Sequence, residues 1–192
     1  MKKILAFILT AFLLGCGPSS NNIQEVTDPR PKGELILIDA LVKADSVYDA
    51  QANDIGKSDA ADTGKKQISN LIMNTLQSKA DNWPAIVDRI DVLEWPTKYI
   101  SVKLLVHMEK NYDNALSNSR AITLISIVND EDLKIKDALK TLQSADKVMV
   151  SGTFDMNADG SPYNIDTDHR RAFDSPIFNF TISAITKDTT KN

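Results

Sequence analysis

The chain has 192 residues, of which 42% are apolar, 25% charged and 6% aromatic; this describes one ordinary globular domain with an appendage and excludes collagenous, low-complexity and polytopic membrane classes. Its formal charge is -4, and without Lys2 and Lys3 the remainder holds twenty bases against twenty-six acids, or -6, which argues against nonspecific nucleic-acid binding. No internal period of twenty to fifty residues repeats, so a solenoid is excluded as well.

The chain opens on Met1-Lys2-Lys3 and an apolar run of eleven residues, Ile4 to Leu14, that ends at Gly15-Cys16. A basic start followed by a short apolar stretch is the grammar of an export signal. A spanning helix needs about twenty apolar residues, and this run gives way at once to Gly17-Pro18-Ser19-Ser20-Asn21-Asn22. Small Gly15 suits a signal peptidase, and Cys16 is the only cysteine, so no intramolecular disulfide can compete for its thiol. From Gly17 to Gly33 the prolines at 18, 29 and 31 sit among Ser and Asn without an apolar period. Residues 16–33 are therefore read as a tether, which at about 3.1 Å per residue could reach roughly 50 Å.

Leu13-Leu14-Gly15-Cys16 resembles the lipobox of bacterial lipoproteins. The resemblance implies that residues 1–15 are cleaved and that Cys16 becomes a lipid-carrying (palmitate-bearing) N-terminus. It also implies an envelope location, on the outer membrane facing the periplasm in a Gram-negative cell, because Gly17 rather than an acidic residue follows the cysteine. One acyl chain anchors marginally and several anchor firmly.

Leu37, Leu41, Ala44, Tyr48, Ala52 and Ile55 form the stripe of an amphipathic helix over Glu34 to Ile55, which Gly56 interrupts or ends. Ile68, Leu71, Ile72, Thr75, Leu76 and Lys79 mark a second helix between Asp59 and Lys79, with Lys57, Lys65 and Lys66 on its wet side. Residues 34–80 thus form a helical segment. Beyond Asn82-Trp83-Pro84 the period becomes two, which signals strands. A first strand sends Ile86, Asp88, Ile90, Val92 and Glu94 to one side and Val87, Arg89, Asp91 and Leu93 to the other; Trp95-Pro96-Thr97 makes the turn. A second runs from Lys98 to Met108, with Ile100, Val102, Leu104, Val106 and Met108 on the apolar face. Asn111 to Asn118 reads as a loop and Arg120 to Val128 as a third strand.

Asn129-Asp130-Glu131-Asp132 supplies acceptors for a helix start, and Leu133, Ala138, Leu139 and Leu142 give that helix an apolar face. Val148, Val150, Gly152 and Phe154 alternate on a fourth strand, and Phe178, Phe180, Ile182 and Ala184 on a fifth, across a polar connection from Asn157 to Ser175. A helix between strands three and four of a five-stranded set is the arrangement of an OB-fold. The expected fold is therefore α+β: a helical segment, then a five-stranded antiparallel OB-like barrel over 81–187 with a helix between strands 3 and 4. Gly152 suits a close approach or bend at a barrel corner. The rival is a generic α+β domain with an open antiparallel sheet.

The region from Asp81 to Thr186 resembles OB-like domains of exported bacterial proteins of unknown function. The residues that carry this are Asn53-Asp54-Ile55-Gly56-Lys57-Ser58, Asn82-Trp83, Val148 to Phe154 and Ser175-Pro176-Ile177-Phe178. None of these is a catalytic motif, so the resemblance implies a shape and no activity.

Asp155, Asn157 and Asp159 stand at positions one, three and five of a calcium loop with Gly160 at six and Asp166 at twelve. Asp166 is one methylene shorter than the usual glutamate, Pro162 occupies a position that prefers a branched apolar residue, and flanking helices are missing. The alternative is a solvated turn in which Asp and Asn cap the backbone and Gly takes positive φ. In the same connection His169, Arg170 and Arg171 could clamp an anion or a partner's carboxylate, against a solvated charge cluster as the alternative. His107 has no second histidine, cysteine or paired carboxylate at a ligand spacing. No Gly-x-Ser-x-Gly elbow or phosphate-cradling glycine loop occurs. Trp83 and Trp95 read as packing residues, leaving Tyr99, Tyr112 and Tyr163 as exposed rings, too few with too little positive charge for single-strand binding.

These readings lead to a lipid-anchored, non-enzymatic envelope module with no cofactor, which binds a protein, peptide or glycan. The alternatives are a small envelope enzyme or accessory using the loop 155–171, and a protective lipoprotein that inhibits an incoming toxin. Exposed apolar and aromatic residues clustered on strands two and three would favour the binding module, whereas a deep pocket with convergent acids and His169 would favour the enzyme.

Overall fold

The computed structural model describes residues 28–94, 98–109, 120–129, 131–165, 167–169 and 171–189. Cys16, the leader, Trp95, Tyr112, the loop at 111–118, Asp166 and Arg170 lie outside the described residues. Two helices, α1 (Lys32–Asp49) and α2 (Asp54–Asn70), are followed by β1 (Lys79–Leu93), β2 (Tyr99–His107) and β3 (Ala121–Asn129). A third helix, α3 (Leu133–Leu139), precedes β4 (Lys147–Phe154) and β5 (Ile177–Lys187). Among the described residues no helix is long and apolar enough to cross a membrane.

The five strands close into a barrel in the order β1-β2-β3-β5-β4. The expectation of an antiparallel barrel is corrected at one seam: β3 and β5 pair in parallel through Thr123–Ile125 and Ile177–Asn179. The reason is arithmetic, since an odd-membered ring cannot have every neighbouring pair antiparallel. Along the chain α3 follows β3 and precedes β4. Around the barrel it is β5 that stands between those two strands, and α3 packs against β5.

Strand β1 starts earlier than its alternation suggests, because Pro84 lies inside it. It pairs with β4 over Lys79–Ile86 and with β2 over Ile86–Leu93, bending between two neighbours. Its register shifts after Val87 let both Ile86 and Val87 be buried, so the expected two-sided alternation fails there. Ile100, Val102, Leu104 and Val106 of β2 all face the interior. Inside the barrel Phe154 meets Trp83, Phe178 and Phe180 edge to face at 5.6, 5.6 and 5.5 Å. Gly152 lies where β4 slips register against β5, and a Cβ there would collide with the Thr181 carbonyl and the Phe180 ring.

The helical stripes shift relative to expectation. Leu37, Leu41 and Ala44 are buried, but α1 stops at Asp49, and Ile55 stands 76% exposed on α2. Asn53 explains the break: its backbone is extended and its side chain accepts from the Gly56 amide at 2.9 Å, so a new helix starts there. Gly56 therefore sits in the first turn of α2 and does not end α1. On α2 and the π-helical turn Leu71–Thr75 that extends it, Ile68 and Ile72 are buried while Lys79 is already strand. Lys65 is half-buried, its Nζ donating to the Thr167 carbonyl at 3.2 Å. In α3, Leu133 is exposed at 66% and Ile135 takes its place in the core beside Leu139.

Candidate binding surface

The register of β1, β2 and β3 lays out the outer surface of the barrel row by row. Leu93 lies beside Tyr99, which lies beside Asn129. The next rows are Asp91, Ser101 and Ile127, then Arg89, Lys103 and Ile125, and the last pairs Leu105 with Thr123. Ile127 and Leu93 are 53% and 42% exposed, while Tyr99, Leu105 and Ile125 are half-buried. On this surface Leu93, Tyr99, Ile127, Ile125 and Leu105 step diagonally across three strands as a broken apolar band with one aromatic ring, and Asp91, Ser101, Arg89 and Lys103 are set among them. The charges bordering it are internally matched: Lys103 Nζ lies 3.0 Å from Asp88 Oδ2 and Arg89 Nε 2.8 Å from Asp91 Oδ2.

The connection from β4 to β5 is pinned rather than splayed. Asp155 accepts from the Thr181 hydroxyl at 2.8 and 2.9 Å, and the Asn157 side chain donates to the Tyr163 carbonyl at 2.7 Å and accepts from Asn179 at 3.2 Å. Asp159 accepts from the Ser161 amide at 2.9 Å, and Gly160 takes a φ of +76°. These oxygens thus serve the turn and its strand, each with a different partner. Among the described residues no group of three or more His, Cys, Asp or Glu is placed to hold a metal. Tyr163 is a correction: it is buried against Phe178 with ring centroids 4.7 Å apart, and burial pushes its phenol pKa up.

His169 and Arg171 are exposed. His169 Nδ1 lies 3.7 Å from Asp62 Oδ1, and Arg171 Nε lies 3.8 Å from Asp168 Oδ2, so the two reach different carboxylates. Nearby, Phe173 is fully buried against Tyr48 and over Gly64, tying the connection to both helices. A cleft of about 620 Å³ between α1 and the connection is lined by Asp45, Asp49, Asp54 and Asp174 with Lys57 and Arg120. Arg120 Nη2 donates to Asp45 Oδ2 at 2.6 Å, yet burial holds the Asp45 carboxyl above its ordinary pKa. The acids of that cleft and His169 do not converge, since His169 is not among the residues that line it.

Sequence reading missed a second cluster, because Asp28 and Arg30 fall in a proline-rich stretch. Arg30 Nε and Nη2 donate to the two Asp28 carboxylate oxygens at 3.0 and 2.8 Å. Its Nη1 donates to the His107 carbonyl at 2.9 Å and reaches Glu34 Oε1 at 3.4 Å. Glu34 has no exposed surface, and its Oε2 has no hydrogen-bond partner. Burial pushes the Glu34 carboxyl up to about 8 against the pull of Arg30, and burial also lowers the His107 imidazole below its ordinary pKa. The one available signal was the Arg30–Glu34 spacing of four, the reach of one helical turn.

Comparison with protein-family models, with curated proteins and with solved structures returned no match.

Proposed function

We propose that this chain is a lipid-anchored envelope protein whose barrel is OB-like and whose outer β1–β2–β3 surface binds a protein, peptide or glycan without transforming it. One observation carries the reading: the exposed and half-buried apolar side chains Tyr99, Leu105, Ile125 and Ile127, with Leu93 beside Tyr99, lie mainly on strands two and three, the face with which OB-folds meet their ligands. The internally paired charges around the band favour a partner of low net charge over nucleic acid. Anchoring rests on the leader and on Leu13-Leu14-Gly15-Cys16. The binding reading is preferred to an enzyme of the 155–171 loop because that loop spends Asp155, Asn157 and Asp159 on its own backbone and strand.

Photo-crosslinking in intact cells tests the surface. A crosslinker at Ile127 should trap a discrete envelope component, whereas one at Lys66, on α2, should not. Equal labelling from both positions, or none from Ile127, would remove the band as the binding surface.

A further inference from the structure

At the root of α1 Asp28 and Glu34 both draw on Arg30, and unequally. Arg30 gives Asp28 two short bonds, one to each carboxylate oxygen, and Glu34 receives a single contact of 3.4 Å. Both carboxylates and the guanidinium are at most 9% exposed. Glu34 Oε2 is buried and without a partner, and beside it lies a cavity of about 10 Å³ walled by Arg30, Glu34, His107 and Pro84–Ile86. That volume suits one water molecule.

With Glu34 ionised, its charge would lie away from solvent against one long contact to Arg30, whose short bonds go to Asp28, which is costly. With Glu34 neutral that cost disappears, and the carboxyl gains an O–H that can donate into the cavity. The first turn of α1 favours an anion, but this does not cancel the loss of water from a side chain with no exposed surface. We propose that Glu34 carries its proton in the folded protein and is a pH-sensitive latch between the first turn of α1 and the end of β2.

The groups facing it are Asp28 and Arg30 from the preceding segment and His107 from β2, with Glu109 acting on His107. Strand β1 presents only Pro84, Ala85 and Ile86, which do not titrate. Because the folded carboxyl sits at about 8 against an ordinary value of 4.5, the latch is fully made below the ordinary value and is lost as pH rises through the folded one. The segment that loosens is the one by which the folded body joins its N-terminal chain.

Thermal melting of the full-length protein across weakly acid to alkaline pH tests this, comparing wild type with Glu34→Gln. The wild-type melting temperature should fall by about 3–5 °C between neutral pH and pH ~9, and Glu34→Gln should lack that fall. Equal falls in both proteins, or none in wild type, would overturn the latch. Should Glu34→Gln fail to fold, infrared spectra of wild type carrying ¹³C-labelled glutamate decide: a protonated carboxyl band must persist at pH 7, and its absence refutes the proposal.

Discussion

At the scale of single residues, two glycines separate the effects of space and of backbone. Gly152 has no room for a methyl group, since a Cβ would lie 2.6 Å from the Phe180 ring and closer still to the Thr181 carbonyl. Gly152→Ala should cost about 2–3 kcal/mol through strand displacement. Gly160 has open space but a φ of +76°, so Gly160→Ala should cost only about 1 kcal/mol. Urea denaturation of both variants checks the order, and an equal cost would refute the packing argument. Arg30→Ala removes the donor to both Asp28 oxygens and to the His107 carbonyl; the expected loss is about 3 kcal/mol. A loss below about 0.5 kcal/mol would show the cluster to be solvated.

At the scale of elements, the helical hairpin depends on where its second helix begins. Asn53→Ala removes the acceptor of the Gly56 amide and should cost about 1 kcal/mol, read as faster amide exchange in the first turn of α2. Phe173→Ala should cost about 3–5 kcal/mol and expose the β4–β5 connection to limited proteolysis, because that ring packs against Tyr48 and Gly64. These elements also show what a sequence discloses. Strands β2 and β4 were legible because alternation places every second side chain inside, and Val102, Leu104, Val148 and Val150 are indeed buried. Register is a property of pairs, so the slip after Val87 left no local sign, whereas the one between Ser151 and Gly152 was marked by the glycine. A periodic stripe could be followed through Ala52 and Ile55 because apolar spacing is blind to a capping asparagine that restarts the helix. The outer band was legible only as the leftover half of each strand's alternation; its diagonal course across strands required the pairing.

At the scale of the whole molecule, two buried groups set opposite limits on stability. His107 is held below its ordinary pKa by burial, so its contribution is present above that ordinary value and lost as pH falls through the lowered one. Glu34, raised to about 8, behaves in the reverse sense. Through weakly acid pH the two therefore oppose each other, and above neutrality the loss from Glu34 is no longer offset by His107. In His107→Gln the acid side should instead gain stability relative to neutral pH; an unchanged profile would show that His107 is not held neutral by the fold. The parity of the barrel is likewise a whole-molecule property: one parallel seam follows from closing five strands. The proposed role requires this body to be held at a membrane surface by Cys16, leaving the band of Leu93, Tyr99 and Ile127 free to meet its partner. Mass spectrometry of the N-terminal peptide from membrane-extracted protein tests that requirement most directly. The account predicts a chain beginning at an acylated Cys16; an unmodified thiol still preceded by residues 1–15 would contradict it.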